Sequence, residues 1–271
     1  MSVRPPPDIP RDRYYVRSVE RALSILRLFI SGAAQVSVAH ISREIHLPQS
    51  TTFRLLATLC GAGLLEHDPL TGKYSLGVAC LELGNAFLRD QDLRQRALPH
   101  LQMLRDETGE TVHLALFDGR DVVYLEKLAG LHAIGLMSSR VGGRSPAHCT
   151  GVGKALLAYL QPEDIDRLLA DHPLESYTPR TITDPQALQS ELARVREKGY
   201  ALDTEEHEPG VMCVAAPILD HNGVAAAISV SGPVGRIQTG ISSEDLLTKV
   251  LQTASAISVQ LGGARPSMSS R

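Results

Sequence analysis

A chain of 271 residues, 43% of them hydrophobic, is long and apolar enough for two ordinary cores, which excludes a disordered or fibrous protein. Four cysteines with no CxxC pair exclude a disulfide framework. No apolar run reaches the length of a membrane span, and "MSVRPPPDIPRDR" lacks a secretion-signal core, so a cytoplasmic protein is expected. The formal charge of -3 is uneven: residues 1–75 hold nine Lys/Arg and six Asp/Glu, the remainder eighteen and twenty-four, so a basic head precedes an acidic body. The head is then the part suited to a polyanion.

In chain order, residues 1–13 are expected to form a disordered tail, since three consecutive prolines and scattered charges give nothing to bury. In "SVERALSILRLFI", Val19, Leu23, Leu26 and Ile30 recur at helical spacing behind Ser18, a candidate N-cap. "SVAHISREI" predicts a second, short helix capped by Ser37, with Val38, Ile41 and Ile45 as its stripe. After the corner "HLP", a third helix opens near Pro48 in "PQSTTFRLLATLCGAGLL" and stops at the glycines. "LLEHDPLTGKYSLG" is a hairpin about turn residues 68–72. Three helices and a hairpin over residues 14–76 describe a winged helix-turn-helix, with a small packed module bearing an ordinary polar face as the alternative.

Residues 77–91 are expected to form a linker helix. Beyond it, "TVHLALFDGRDVVYLEKL" and "VMCVAAPILDHNGVAAAISVSGP" are strand-turn-strand patterns separated and followed by helices, so residues 92–262 are an antiparallel sheet with helices on its faces. Residues 263–271 are a tail. The overall class is α+β.

A helix-turn-helix places its second helix in the major groove. On that helix Thr52, Leu56 and Leu59 share one side and face inward. Gln49, Ser50, Thr51, Arg54 and Thr58 are left outside as candidates to bond bases and phosphates, with Ser37 at the preceding helix start and Lys73 at the hairpin tip.

"LDTEEHEPGVMC" (residues 202–213) groups acids with a histidine and a cysteine. Asp203, Glu206, His207 and Cys213 are types that bind zinc, but successive strand residues point to opposite faces and a Pro-Gly corner separates the acids from the cysteine. Glu205, His207 and Glu208 are therefore expected at the surface. "GVGKALL" is not a phosphate loop, because His148 and Ala155 stand where glycine and Ser/Thr are needed. Lys154 is then expected on the helix surface. A metal-binding regulator, or a small-molecule enzyme using Cys149, Cys213 and Asp203, is the alternative function. No catalytic residue, metal ligand or cofactor is assigned.

"SVERALSILRLF", "ISREIHLPQSTTFRLLATLCGAGLLEHDPLTGKYSLG" and "RSPAHCTGVGKALLA", in that order, resemble the IclR family of bacterial transcriptional regulators over residues 15–260. Gly199, Asp203, Glu206, Cys213, Ala215 and Asp220 match its effector-domain signature, while Leu219 departs from it. The resemblance implies a winged helix, a linker helix used in dimerisation, and a GAF-like effector-binding domain. It also implies a homodimer or homotetramer on approximately palindromic double-stranded operator DNA, with no membrane partner. Repression is the expected sign, modulated by a small anionic metabolite, an organic or aromatic acid. Matched positions place that effector at Gly151, Val152, Asp203, Cys213, Ser229 and Ser231. The backbone amides at 151 and 152 have a second warrant, because the first N–H groups of a helix are unsatisfied and favour an anion. Leu136 and Met137, with Val141, are expected as an apolar lid and His148 at the mouth.

Overall fold

The computed structural model describes residues 16–30, 34–89, 92–131, 137–171, 173–242 and 244–263. The expected tails over 1–13 and beyond 263, and Leu136, lie outside these. The chain divides between Gln91 and Asp92 into two compact units.

The first unit opens with α1 (Arg17–Leu28). Its N-cap is Val16, with no side-chain capping bond, so Ser18 is a helical residue and the expected cap is not used. The expected stripe is also displaced: Val19, Leu23 and Ile30 are exposed, whereas Ile25 and Phe29 are buried. Apolar residues at 19, 22, 23, 25, 26, 28, 29 and 30 offer two overlapping stripes at helical spacing, and packing against the other helices selects between them. A two-residue strand β1 (Val36–Ser37) leads into α2 (Val38–Glu44), where the Ser37 hydroxyl accepts the His40 N–H at 3.3 Å. α2 ends at a corner held by His46 at φ 51. α3 (Gln49–Gly61) follows with Pro48 as N-cap, and its buried residues are Thr52, Leu56 and Leu59, the inward side expected from spacing. Burying the two leucines stabilises the unit by about 1.5–3 kcal/mol each. β2 (Leu65–Asp68) and β3 (Lys73–Leu76) form the hairpin, with β1 added on the far side of β3. Its turn is tied by Asp68, which accepts from Leu70 N–H (2.9 Å) and the Thr71 hydroxyl (2.7 Å), and Gly72 takes the positive φ of 65° it requires. α4 (Val78–Arg89) closes the unit with none of its residues buried.

The second unit is an α+β layer structure. After α5 (Asp92–Thr108), strands β4 (Thr111–Asp118) and β5 (Asp121–Leu128) form the first hairpin, and β8 (Val211–Asp220) and β9 (Gly223–Pro233) the second. The sheet is antiparallel in the order β6-β5-β4-β9-β8-β7, where β6 (Arg144–Pro146) and β7 (Ala201–Thr204) are short edge strands. A register shift at 218/219 marks where Leu219 departs from the signature. Helices α6 (Gly151–Leu157), α7 (Pro162–Asp171) and α8 (Pro185–Lys198) follow β6, and α9 (Val234–Ser242) and α10 (Asp245–Gln260) follow β9.

Alternation gives the sheet two faces. Val112, Leu114, Val214, Ala216, Ile228 and Val230 face one way. Ala115, Ala215 and Ala227 face the other and pack with Val152, Ala155 and Leu156 of α6 and Leu188 and Leu192 of α8. Alanines allow this close approach. The backbone comes closer still at Gly153, where a β-carbon would lie 2.1 Å from the Ala147 carbonyl oxygen. α6 has only seven residues, and beyond the alanines the same face turns polar.

Candidate functional site

On the first unit, Gln49, Ser50, Phe53, Arg54, Ala57 and Thr58 are exposed along one side of α3, opposite its buried stripe, while Thr51 is half-buried between the two. Neither Arg54 nor Lys73, at the start of β3, forms an ion pair among the described residues, so both charges are available to a partner. The Thr58 hydroxyl donates to the Arg54 carbonyl at 2.9 Å and is already occupied. That of Ser37 accepts the capping N–H and keeps its own O–H to donate. The surface presents two free cations, amides and hydroxyls at the mouth of a helix-turn-helix, which is the chemistry that clamps phosphates and reads base edges.

In the second unit the polar end of the sheet face forms a cavity of about 410 Å³, open mouth included. Register places Asp203 beside Cys213 and Cys213 beside Ser231, and in the next row Ala215, Ser229 and His113. The His113 Nδ1 lies 3.4 Å from both serine hydroxyls, and its Nε2 is 2.9 Å from the Ser139 hydroxyl. Tyr124 and Ser145 complete one wall; Thr150, Gly151 and Val152, at the start of α6, form another. Met137 and Ser139 also line the cavity. Lys127 Nζ donates to the Ser139 carbonyl at 2.5 Å, and Ser138 donates both its N–H and its hydroxyl to Glu208.

Burial sets the protonation of this wall. The Asp203 carboxyl is pushed up to about 7 by loss of water, partly countered by the Glu206 N–H that it accepts at 2.8 Å. His113 is driven down to about 3 by burial and by Lys127, so it is neutral. The thiols of Cys149 and Cys213 are raised by burial, which keeps both protonated and removes the thiolate that nucleophilic chemistry needs.

Lys154 overturns its expected surface position. It is 1% exposed, bonded to Glu206 and 3.5 Å from Glu191, so its ammonium joins α6, the β7–β8 turn and α8. Burying the α6 face against the sheet carries Lys154 inward, and only the two distant carboxylates make that tolerable. Glu206 therefore braces the wall. Thr178 and Thr181 donate to the carbonyls of Glu205 and Glu206 at 2.6 Å each and fix the same turn.

Of the residues singled out in the sequence, Met137, Gly151, Val152, Asp203, Cys213, Ser229 and Ser231 line this cavity together. His148 does not. It is buried with Nε2 3.0 Å from the Glu175 carbonyl and lines a separate cavity with Arg120 and Tyr177. Val141 is exposed outside the lining. His207 and Glu208, expected at the surface, are half-buried and line the cavity, because the turn after β7 folds back over the sheet. His113, Tyr124, Ser139, Ser145 and Thr150 were missed. The buried polar positions at 113 and 124 in otherwise apolar strands were the available signal. The four candidate zinc ligands do not converge: Glu206 is turned to Lys154, and no group of three or more metal-binding side chains is found among the described residues. Nor is any described helix long and apolar enough to cross a membrane.

Comparison with known proteins gives a consistent result. Residues 18–69 match the family described as "IclR helix-turn-helix domain", and residues 85–259 match "Bacterial transcriptional regulator IclR C-terminal". The chain is similar to the HTH-type transcriptional regulator XynR of Escherichia coli K12, at 42% identity over 82% of this chain and 88% of that one. It is similar to the transcriptional repressor IclR of the same organism at 34% identity over 92% of each. Among solved structures, an IclR homolog of Microbacterium hydrocarbonoxydans complexed with 4-hydroxybenzoate aligns with a TM-score of 0.78 at 31% identity, over 90% of this chain and 98% of that one.

Proposed function

The chain belongs to the IclR family of bacterial transcriptional regulators, and on that premise we propose how its two units divide the work: α3 reads operator DNA, and a small carboxylic acid in the sheet cavity sets how tightly. It is a DNA-binding regulator whose DNA affinity an effector modulates, and its named relatives include repressors. The reading of the residues rests on one observation above others: Asp203, Ser229, Ser231 and His113, all buried, lie beside the half-buried Cys213 on one sheet face that borders a cavity. Buried polar groups are costly unless bonded, and a row of them around open space is the form of a small-molecule site. Gly151 supports the same reading. A β-carbon there would stand 3.3 Å from those of both Cys213 and Ala215, so a side chain at this position would press on the sheet face that borders the cavity.

In the head, Gln49, Ser50, Thr51 and Arg54 meet base edges and phosphates in the major groove, and Ser37 and Lys73 hold the flanking backbone. The active form is a homodimer or homotetramer on an approximately palindromic operator. In support, α1 and α4 expose Val19, Leu23, Leu81, Leu83 and Phe87, all more than half accessible, apolar side chains of the kind that a second copy covers. An effector that favours one arrangement of the assembly changes DNA affinity by its differential binding, typically about 1–3 kcal/mol. No reaction is assigned.

The test is a gel shift on the promoters flanking the gene, with and without small carboxylates. Gly151→Val is expected to retain DNA binding and lose the response. A variant that responds like the wild type would move the effector site elsewhere.

A further inference from the structure

We propose that the acid effector enters this cavity together with one proton, shared between the ligand carboxylate and the Asp203 side chain. The inference rests on the reading above that the ligand is a carboxylic acid.

Among the described residues lining the cavity are two carboxyl groups, Asp203 and Glu208, and no lysine or arginine. Two lysines close to the wall are committed. Lys154 is buried against Glu206 and Glu191, and Lys127 donates to the carbonyls of Ser139 and Met137. His113 carries no positive charge, because burial holds it neutral. The donors left for an anion are neutral ones: the amides of Gly151 and Val152 and the hydroxyls of the wall. A carboxylate at the Gly151 amide lies against Asp203, since a β-carbon on Gly151 would stand 3.8 Å from that of Asp203. Two carboxylates this close, out of water and without a cation between them, do not both stay ionised.

The groups around Asp203 support the same outcome. Glu206 and His207 come from the turn after β7, Lys154 and Cys149 from the two sides of the α6 start, Cys213 from β8 and Tyr124 from β5, with Glu208 also in the lining. Lys154 is the one permanent positive charge in this set, and Glu206 offsets it. The free Asp203 carboxyl already titrates near 7, so its protonation around neutral pH costs little. The balance is simple: ligand carboxylate, Asp203 carboxylate and one proton from solvent form a hydrogen-bonded pair of charge -1, with no covalent bond between ligand and protein. Because the pair holds one proton, affinity is full between the ligand's own carboxyl range and about pH 7 and falls about tenfold per unit above it, until the bound pair itself gives up the proton.

Calorimetry of the full chain tests this, with glyoxylate, gluconate and 4-hydroxybenzoate as probes. Titrations at about pH 8 in two buffers of different ionisation enthalpy should show about one proton taken up per site, and Asp203→Asn should bind with a pH-independent affinity. Acid binding with no proton exchange, or with an unaltered pH slope in a folded Asp203→Asn, overturns the shared proton and leaves the acid reading standing. If the neutral amide or alditol of a probe binds and no acid does, or if no probe binds, the acid reading falls and the proton with it. The wild-type proton count stands whether or not the variant folds.

Discussion

The two units use charge in opposite ways. In the head, Arg54 and Lys73 stand exposed and unpaired, so a polyanion meets them at little desolvation cost and counterion release supplies the affinity. In the sensor, Lys154 is sealed between two carboxylates, Lys127 is spent on backbone carbonyls, and the cavity between them is free of lysine and arginine among its described lining residues. The difference teaches that a cation's role follows from its access to water. An exposed one recognises, whereas a buried one holds other groups in place.

The largest effect expected from this contrast is at Lys154. Lys154→Met leaves Glu206 and Glu191 without their cation and should destabilise the sensor unit by about 3–5 kcal/mol, as buried pairs do when one partner is removed. Urea unfolding followed by a probe in that unit measures it, and Lys154→Met with Glu206→Leu should recover much of the loss. An unchanged midpoint in the single variant would erase the contrast. In the head the sign of the experiment reverses. Arg54→Ala should leave unfolding unchanged and weaken specific operator binding by about 1–3 kcal/mol in a gel shift. Lys73→Ala should act more weakly and equally on specific and non-specific DNA, lowering the salt-dependence slope by about one. The smallest effect belongs to Thr58→Val, whose lost hydroxyl is already bonded to the Arg54 carbonyl; DNA affinity should move by less than about 0.5 kcal/mol. A large loss there would mean that the hydroxyl leaves its helix to meet DNA.

The same division governs what could be foreseen. In α3 the inward set Thr52, Leu56 and Leu59 follows from spacing, because one helix with a single apolar stripe has one way to lie on a core. In α1 the spacing was ambiguous, and burial went to Ile25 and Phe29 instead of Val19 and Leu23. Around the cavity, alternation puts Ser229 and Ser231 on one strand face, and pairing with β8 brings Cys213 to them. His113 joins only through β4, more than a hundred residues earlier, and β4 shows no sign in its own sequence of which strand it will pair with.

By itself, then, the sequence determined what repeats locally: the helices and hairpins, the polar outer side of α3, the turn chemistry at Asp68 and Gly72, and the family signature. Periodicity and turn propensity act over a few residues, and those are all present in the string. Only the tertiary structure decided that Lys154 is buried, that His207 and Glu208 turn toward the cavity while His148 turns to another, and that no lysine or arginine reaches the described lining. Each depends on partners far away in the chain, 37 and 52 positions for the two carboxylates that hold Lys154, and the free energy of burying a charge is set by those partners.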